Sequence, residues 1–169
     1  MLFERLLMVD SKKIWHEEGL RIRPFQSTDQ VAVKHLILTG LVEHWGFLDT
    51  TLNPDLDDIS TAYRDGIFLV AVAGNPAEAG NQIVGTGALI PEDEGLIRIV
   101  RMSVDKNFRR KGIGRRILSE LCDIAKKCGY KQIALETTET WEEAIHFYQQ
   151  NGFQMRGNRD GDMHFLLDI

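Results

Sequence analysis

Cysteine is scarce in this chain of 169 residues, which has two, Cys122 and Cys128. They lie six residues apart in one helical pattern. They therefore fall on different faces and could not pair without breaking the helix, so no disulfide framework is expected. Both read as reduced, small core residues of a cytoplasmic protein. Long apolar runs are also missing. The longest, IFLVAVA at 67–73, fits one buried strand and is far too short to cross a bilayer. The N-terminus, MLFERLLMVDSKK, carries Glu4 and lacks the charged, apolar, small-residue order of a signal peptide. Residues 1–18 read as an extension with the pattern of a short amphipathic helix. Positive charge is in deficit, with 20 Lys and Arg against 25 Asp and Glu. A net charge of −5 argues against a broad nucleic-acid-binding face. The five histidines, His16, His35, His44, His146 and His164, show no metal-ligand spacing on one element, so no metal is expected. No repeat, low-complexity tract or linker divides residues 19–169. With 43% hydrophobic and 27% charged residues, the composition is that of a single soluble globular domain.

What is present is a dense alternation of strand and helix signals. GLRIRPF (19–25) reads as a first strand closed by Pro24. A helix capped by Ser27 or Thr28 follows, with Val31, Leu36, Leu38 and Leu41 as its apolar surface. Pro54, a first turn rich in acids and Gly66 predict a second helix over 53–66. Strands are expected at 67–74, 81–91 and 95–104, the first two joined by a loop at 75–80 and the last two by the acidic turn PEDEG. Ile113, Ile117, Leu121, Ile124 and Cys128 recur at helical spacing up to Gly129. A buried strand (131–138), a short helix (140–152) and a final hairpin complete the chain. The order is β-α-α-β-β-β-α-β-α-β-β. The crossover at 95–136 needs parallel neighbours and the hairpins need antiparallel ones. The fold class is therefore α/β, in the form of a mixed sheet with helices on both faces.

In this acidic chain, five of the eight residues in RRKGIGRR (109–116) are basic. Gly112 and Gly114 fall just where the long helix begins. A helix start carries unpaired N–H groups and a partial positive charge, and glycine lets a phosphate approach the backbone closely. The segment is an anion site suited to a pyrophosphate. It is neither a G-x-x-x-x-G-K-[ST] loop nor a G-x-G-x-x-G dinucleotide fingerprint, because position 117 is Ile.

What remains is R-x-x-G-x-G after a strand, carried by Arg109, Arg110, Lys111, Gly112, Ile113 and Gly114. This resembles the acyl-coenzyme A loop of the GNAT superfamily of N-acetyltransferases. VDKNFRRKGIG is similar to the family's V-x-P-x-x-R-x-x-G-x-G, with Lys106 in place of Pro. Downstream, Ala144, Phe147, Tyr148, Gly152 and Phe153 resemble its second signature, A-x-x-F-Y-x-x-x-G-F. Trp141 stands where many members have a coenzyme-contacting Asn, leaving Thr140 or Glu139 as substitutes.

The resemblance, over residues 20 to 168, implies a GNAT acyl-CoA N-acyltransferase fold and acetyl-CoA as co-substrate. It implies a bulged strand whose Met102, Ser103 and Val104 pair with the pantetheine arm, Met102 N–H serving the oxyanion. The N–H groups from Arg110 to Arg115 would hold the pyrophosphate. Tyr148 matches the family's usual acid for the leaving thiolate. The base is expected at Glu136, with Glu92 and Glu94 as weaker candidates. Cys122 gives no acyl-cysteine route. The acceptor is a primary amine of a small molecule or peptide. Neither nucleic acid nor membrane is implied, and a homodimer is compatible with the many relatives that pair. The rival reading is a non-catalytic acyl-CoA-binding module. Arg98 and Arg101, three apart on a strand, are expected on opposite faces. At most one of them could then hold a substrate carboxylate, and both could instead pair with the acidic turn or the helix at 53–66. LVEHWGFLD (41–49) and Asp55, Asp57 and Asp58 fall where the resemblance implies a substrate lid, and would suit a cationic amine.

Overall fold

The computed structural model describes residues 16–17, 19–49, 51–74 and 81–169. In chain order the elements are β1 (His16–Glu17), β2 (Leu20–Pro24), α1 (Gln30–Trp45), α2 (Ile59–Ala62), β3 (Ile67–Ala73), β4 (Gln82–Asp93) and β5 (Leu96–Val104). They continue with α3 (Ile113–Lys127), β6 (Gln132–Thr138), α4 (Glu142–Gln150), β7 (Gln154–Arg159) and β8 (Asp162–Asp168). The strands form one eight-stranded sheet in the order β1-β2-β3-β4-β5-β6-β8-β7. β5 and β6 are parallel, as the crossover through α3 requires, and the other neighbours are antiparallel. The mixed sheet expected from the sequence is the one found. Most of the expected extension lies outside the described residues, although His16–Glu17 pair with β2. The expected loop at 75–80 also lies outside them.

Residues Ile67 to Val72 of β3 are all buried, as befits a strand covered on both faces. On one face, Ile113, Ile117, Leu118 and Leu121 of α3 pack with Tyr148 of α4, Phe153 and Phe165. On the other, Val33 and Ile37 of α1 pack with Leu56, Ile59, Tyr63 and Phe68.

The helix expected over 53–66 is broken. A 3₁₀ turn spans Pro54–Leu56, and α2 restarts after Asp58. Asp58 is in a non-helical conformation and its carboxylate accepts from Thr61 N–H at 3.0 Å, so it caps a new helix instead of continuing the old one. The first long helix also differs at its start. Ser27–Asp29 form a 3₁₀ turn, and Asp29 accepts from the N–H of Gln26 at 2.8 Å and from Arg23.

One irregularity organises the centre of the sheet. β4 and β5 pair Ala88 with Val100 and then Thr86 with Ser103, so β5 holds one extra residue. Arg101 takes up this bulge at φ 57°, and fully buried Thr86 donates its hydroxyl to the Arg101 carbonyl at 2.8 Å. The space opposite requires glycine. A Cβ on Gly87 would lie 2.6 Å from Met102 Sδ and 2.7 Å from Ile117 Cγ2. Gly87→Ala is expected to cost about 1–3 kcal/mol of stability through overpacking, read as a lowered midpoint of thermal unfolding. An unchanged midpoint would mean that the bulge tolerates the methyl group.

Candidate active site

The bulge reverses the side-chain parity of β5. Ile97 and Ile99 enter the α3-side core, and so do Met102 and Val104 beyond the bulge. Val100 packs on the α1 side, and Ser103 Oγ would lie 3.2 Å from a Cβ on Gly40 of α1. Arg98 and Arg101 therefore share the α1-side face, which corrects the expectation from plain strand alternation. Arg101 Nε donates to Asp55 at 2.9 Å and Nη1 donates to Asn53 at 2.9 Å. Asp55 also accepts from the Tyr63 hydroxyl at 2.6 Å. Burial opposes ionisation of Asp55, but hydrogen bonds from Arg101 and Tyr63 outweigh it and hold the carboxyl below its usual range. Arg98 bonds Glu92 in the acidic turn and donates to Glu136 Oε2 at 3.0 Å. Both arginines are thus engaged by protein carboxylates.

On its other side β5 parts from β6. Their register runs only from Leu96 with Gln132 to Arg98 with Ala134. Beyond Arg98, the stretch through Met102, Ser103 and Val104 has no register partner on β6. An exposed strand edge of this kind offers backbone groups to an extended ligand. Glu136 lies two residues past the last paired position of β6, at the mouth of the parting.

At the far end of β5 the chain turns through Lys106–Phe108 into the basic loop. Arg110 has φ 61° and Gly112 has φ 80°, so two left-handed residues separated by one curl the backbone before α3. Gly112 is the N-cap of α3 and has no side chain to bond the first N–H groups; the first turn holds no acid. The helix start is left open to an anion. Ile113 is buried and fixes the start of α3 to the core, while Arg109, Arg110, Lys111 and Arg115 are exposed around it. A Cβ on Gly114 would touch Phe147 of α4 and Val104 at 3.6 Å, so loop, strand end and second signature meet here.

Tyr148 is 7% exposed and packs edge-on against Phe147 and Phe153. Burial pushes its phenol well above the ordinary range, so it stays protonated at neutral pH. Its hydroxyl makes no hydrogen bond to the described residues. Ring and hydroxyl thus form one buried, protonated group. Burial also raises the Cys122 thiol, to about 11, which leaves no thiolate for an acyl-cysteine step.

Contacts between distant segments add residues that sequence spacing could not single out. Glu43 of α1 accepts from Arg109 at 2.6 Å. His44 stacks on Trp141 with ring centroids 4.2 Å apart, and its Nε2 lies 3.2 Å from Thr140 Oγ1. Trp141, which stands where the resemblance implied a coenzyme-contacting Asn, is therefore a ring clamped to α1. Glu139 bonds Asn158. A cavity of about 290 Å³ lies among Gly40, Glu43, His44, Arg109 and Thr140–Glu143. A second, of about 590 Å³, shares Gly40, Glu43 and Arg109, so this ion pair stands where the two meet. A third hollow, of about 660 Å³, lies along the outer flank of α1 and takes no residue from β5, β6, α3 or α4. Because Glu43 competes with an anion for Arg109, Glu43→Gln is expected to tighten coenzyme A binding roughly two- to fivefold. Calorimetric titration measures this, and weaker binding would show that Glu43 supports the loop.

A sheet that parts beside a bulged strand, with an uncapped glycine-led helix start at the strand's end, defines the acyl-CoA N-acyltransferase fold. The acetyltransferase (GNAT) family model matches residues 34–153, and the chain belongs to this family. N-acetyltransferase 8F1 of Rattus norvegicus is 31% identical over 120 residues, covering 67% of this chain and 52% of the relative. N-acetylaspartate synthetase of Homo sapiens is 30% identical over 124 residues, covering 72% of this chain and 38% of the relative. The chain thus spans about half or less of the length of these curated relatives. Among solved structures, a GNAT acetyltransferase from Staphylococcus aureus Mu50 superposes with a TM-score of 0.78 at 24% identity, covering 89% of this chain and 99% of the other. PaiA N-acetyltransferase from Thermoplasma acidophilum, solved in complex with coenzyme A, gives 0.75 at 18% identity, with 89% and 99% covered.

Proposed function

We propose that the protein transfers the acetyl group of acetyl-CoA directly to a primary amine of a small molecule or peptide within a ternary complex. The observation that carries this reading is the parting of β5 from β6 beside the bulge, continuous with the open start of α3. The bare edge at Met102–Val104 suits the amides of the pantetheine arm. The curled backbone from Arg110 to Arg115, with Arg109 and Lys111 beside it, suits the pyrophosphate. Relatives whose names specify N-acetyl transfer or N-acetylaspartate synthesis support nitrogen as the acceptor atom.

In this reading the parting is a passage between the two faces of the sheet. Tyr148 stands on the α3 side, where the coenzyme's sulfur would leave, and returns a proton to it. Glu136 stands on the α1 side, where an amine would enter, and serves its deprotonation. The Met102 N–H, beside the bulge, is the donor best placed for the developing oxyanion.

Thiol release from acetyl-CoA across an amine panel tests this, with coenzyme protection against thermal unfolding measured in parallel. Turnover with at least one amine is the expected result. Protection by coenzyme without turnover on any amine would favour a non-catalytic acyl-CoA-binding module. Protection by oligonucleotides with none by coenzyme would overturn both readings.

A further inference from the structure

The α1-side face of the sheet carries a line of charge leading away from the parting. Glu136 on β6 lies directly opposite His164 on β8. Its neighbours Ile133 and Leu135 enter the α3-side core, while Glu136 joins Arg98 on the other face. His164 Nδ1 lies 3.5 Å from Glu136 Oε2, the oxygen that Arg98 also holds at 3.0 Å. Arg98 is in turn fixed by Glu92. Gly157, opposite His164 on β7, brings no charge of its own. His164 Nε2 makes no hydrogen bond to the described residues, and the side chain is 31% exposed.

An alkyl ammonium, with a pKa of roughly 10, must lose a proton before its nitrogen can attack. A carboxylate is a poor final holder of a proton taken from an ammonium, because the ordinary pKa values of the two groups lie far apart. Imidazole is the side chain whose ordinary proton affinity lies closest to neutral pH. A carboxylate close to one ring nitrogen favours the tautomer that carries its proton on that nitrogen and leaves the other nitrogen as the acceptor.

Resting on the transfer reading above, we propose that His164 Nε2 is the proton acceptor for the incoming amine, and that Glu136, steadied by Arg98, positions it. One ammonium N–H bond breaks, its proton goes to Nε2, and nitrogen keeps the electron pair. That pair forms the C–N bond to the acetyl carbon as the C–S bond breaks, and sulfur leaves with its electrons and takes the Tyr148 proton. The second nitrogen proton restores the phenol, and the imidazolium gives its proton to solvent. One proton is released per turnover. Glu136 is then a positioning residue and His164 the catalytic one.

Two measurements on the full chain test this. In ¹⁵N-histidine-labelled protein, with His164 assigned by its loss in His164→Gln, neutral His164 is expected as the Nδ1–H tautomer, a preference lost in Glu136→Gln. A dominant Nε2–H tautomer in the unsubstituted protein would overturn the proposal. With an amine that the protein acetylates, His164→Ala is expected to lower kcat about 100-fold while KM for acetyl-CoA stays within about twofold. Added imidazole is expected to restore at least about tenfold of that loss, which a merely structural role would not allow. Full activity of His164→Ala, or a defect that imidazole leaves untouched, overturns the assignment. If the unsubstituted protein binds coenzyme yet acetylates no amine, the transfer reading falls and His164's part in it falls too; the tautomer separates that failure from misplacement of the Glu136–His164 pair.

Discussion

Tyr148→Phe is expected to lower kcat by roughly 10²- to 10³-fold, the range of a lost general acid, while leaving the fold intact. The two halves of this expectation have separate grounds. The ring of Tyr148 is enclosed by Phe147, Phe153 and Phe165, and phenylalanine keeps every one of those contacts. The hydroxyl bonds none of the described residues, so its removal strands no partner, and stability should change by less than about 0.5 kcal/mol. The chemical half follows from protonation. Burial keeps the phenol protonated, so the acid is in its donating form throughout the neutral range. A free thiol ordinarily ionises near 8.5, below such a phenol, and a fully solvated thiolate would take this proton only slowly. A sulfur leaving inside the same apolar surroundings is itself desolvated, and its proton affinity rises in step with that of the phenol. Steady-state kinetics of the variant, with a thermal scan alongside, checks both halves. Activity within twofold of the unsubstituted protein would leave Tyr148 as an aromatic that pins α4 to the sheet.

The architecture was legible because local signals agreed with long-range ones. The apolar stripe from Ile113 to Ala125 faces the sheet as a 3.6-residue period requires, and the glycine loop opens a helix with no cap of its own. The carboxylate partners of the two arginines were legible as residue types, since Glu92 and Asp55 stand in the acidic segments that suggested pairing. Their shared face was not legible. A bulge adds one residue to one strand, and its cause lies in partners across the sheet, Thr86 and Gly87, and not in the sequence of β5 itself. The break in the helix at 53–66 was hidden for the opposite reason. Asp58 is as good a first-turn acid as it is an N-cap, and only the hydrogen bond to Thr61 distinguishes the two. The contacts that give His44, Glu43 and His164 their significance come from residues far away in the chain. His44 meets Trp141, Glu43 meets Arg109 and His164 meets Glu136. No periodicity links such positions. Spacing along one element tests a histidine for metal ligation and says nothing of a carboxylate that lies beside it on the adjacent strand.

Gly112→Val is expected to weaken coenzyme A binding at least 100-fold while leaving α3 and the core in place. The reason is conformational and does not rest on a clash within the protein. A Cβ at Gly112 would meet nothing within 4 Å, so the residue has room for a side chain. What valine cannot readily adopt is φ 80°, a left-handed conformation that is most costly for a β-branched residue, of order 1–3 kcal/mol. The loop will relieve that strain by turning the peptide planes on either side of Gly112. Those planes carry the N–H groups at the open start of α3, and an anion bound by several backbone donors at once loses most of them together. The new methyl groups would also stand in the open space through which a phosphate reaches the backbone. The basic side chains of Arg109, Arg110 and Lys111 would remain, so long-range attraction should persist while the fitted contacts are lost. Two controls make the result specific. Gly112→Ala removes less conformational freedom than valine and should fall between the two, whereas Lys111→Ala should weaken binding by only a few-fold, and more at low salt than at high. Titration calorimetry at two salt concentrations, with circular dichroism to confirm the helix, reads all of these. If Gly112→Val binds coenzyme A as tightly as the unsubstituted protein, the pyrophosphate is not held by this helix start, and the basic side chains alone must account for any affinity.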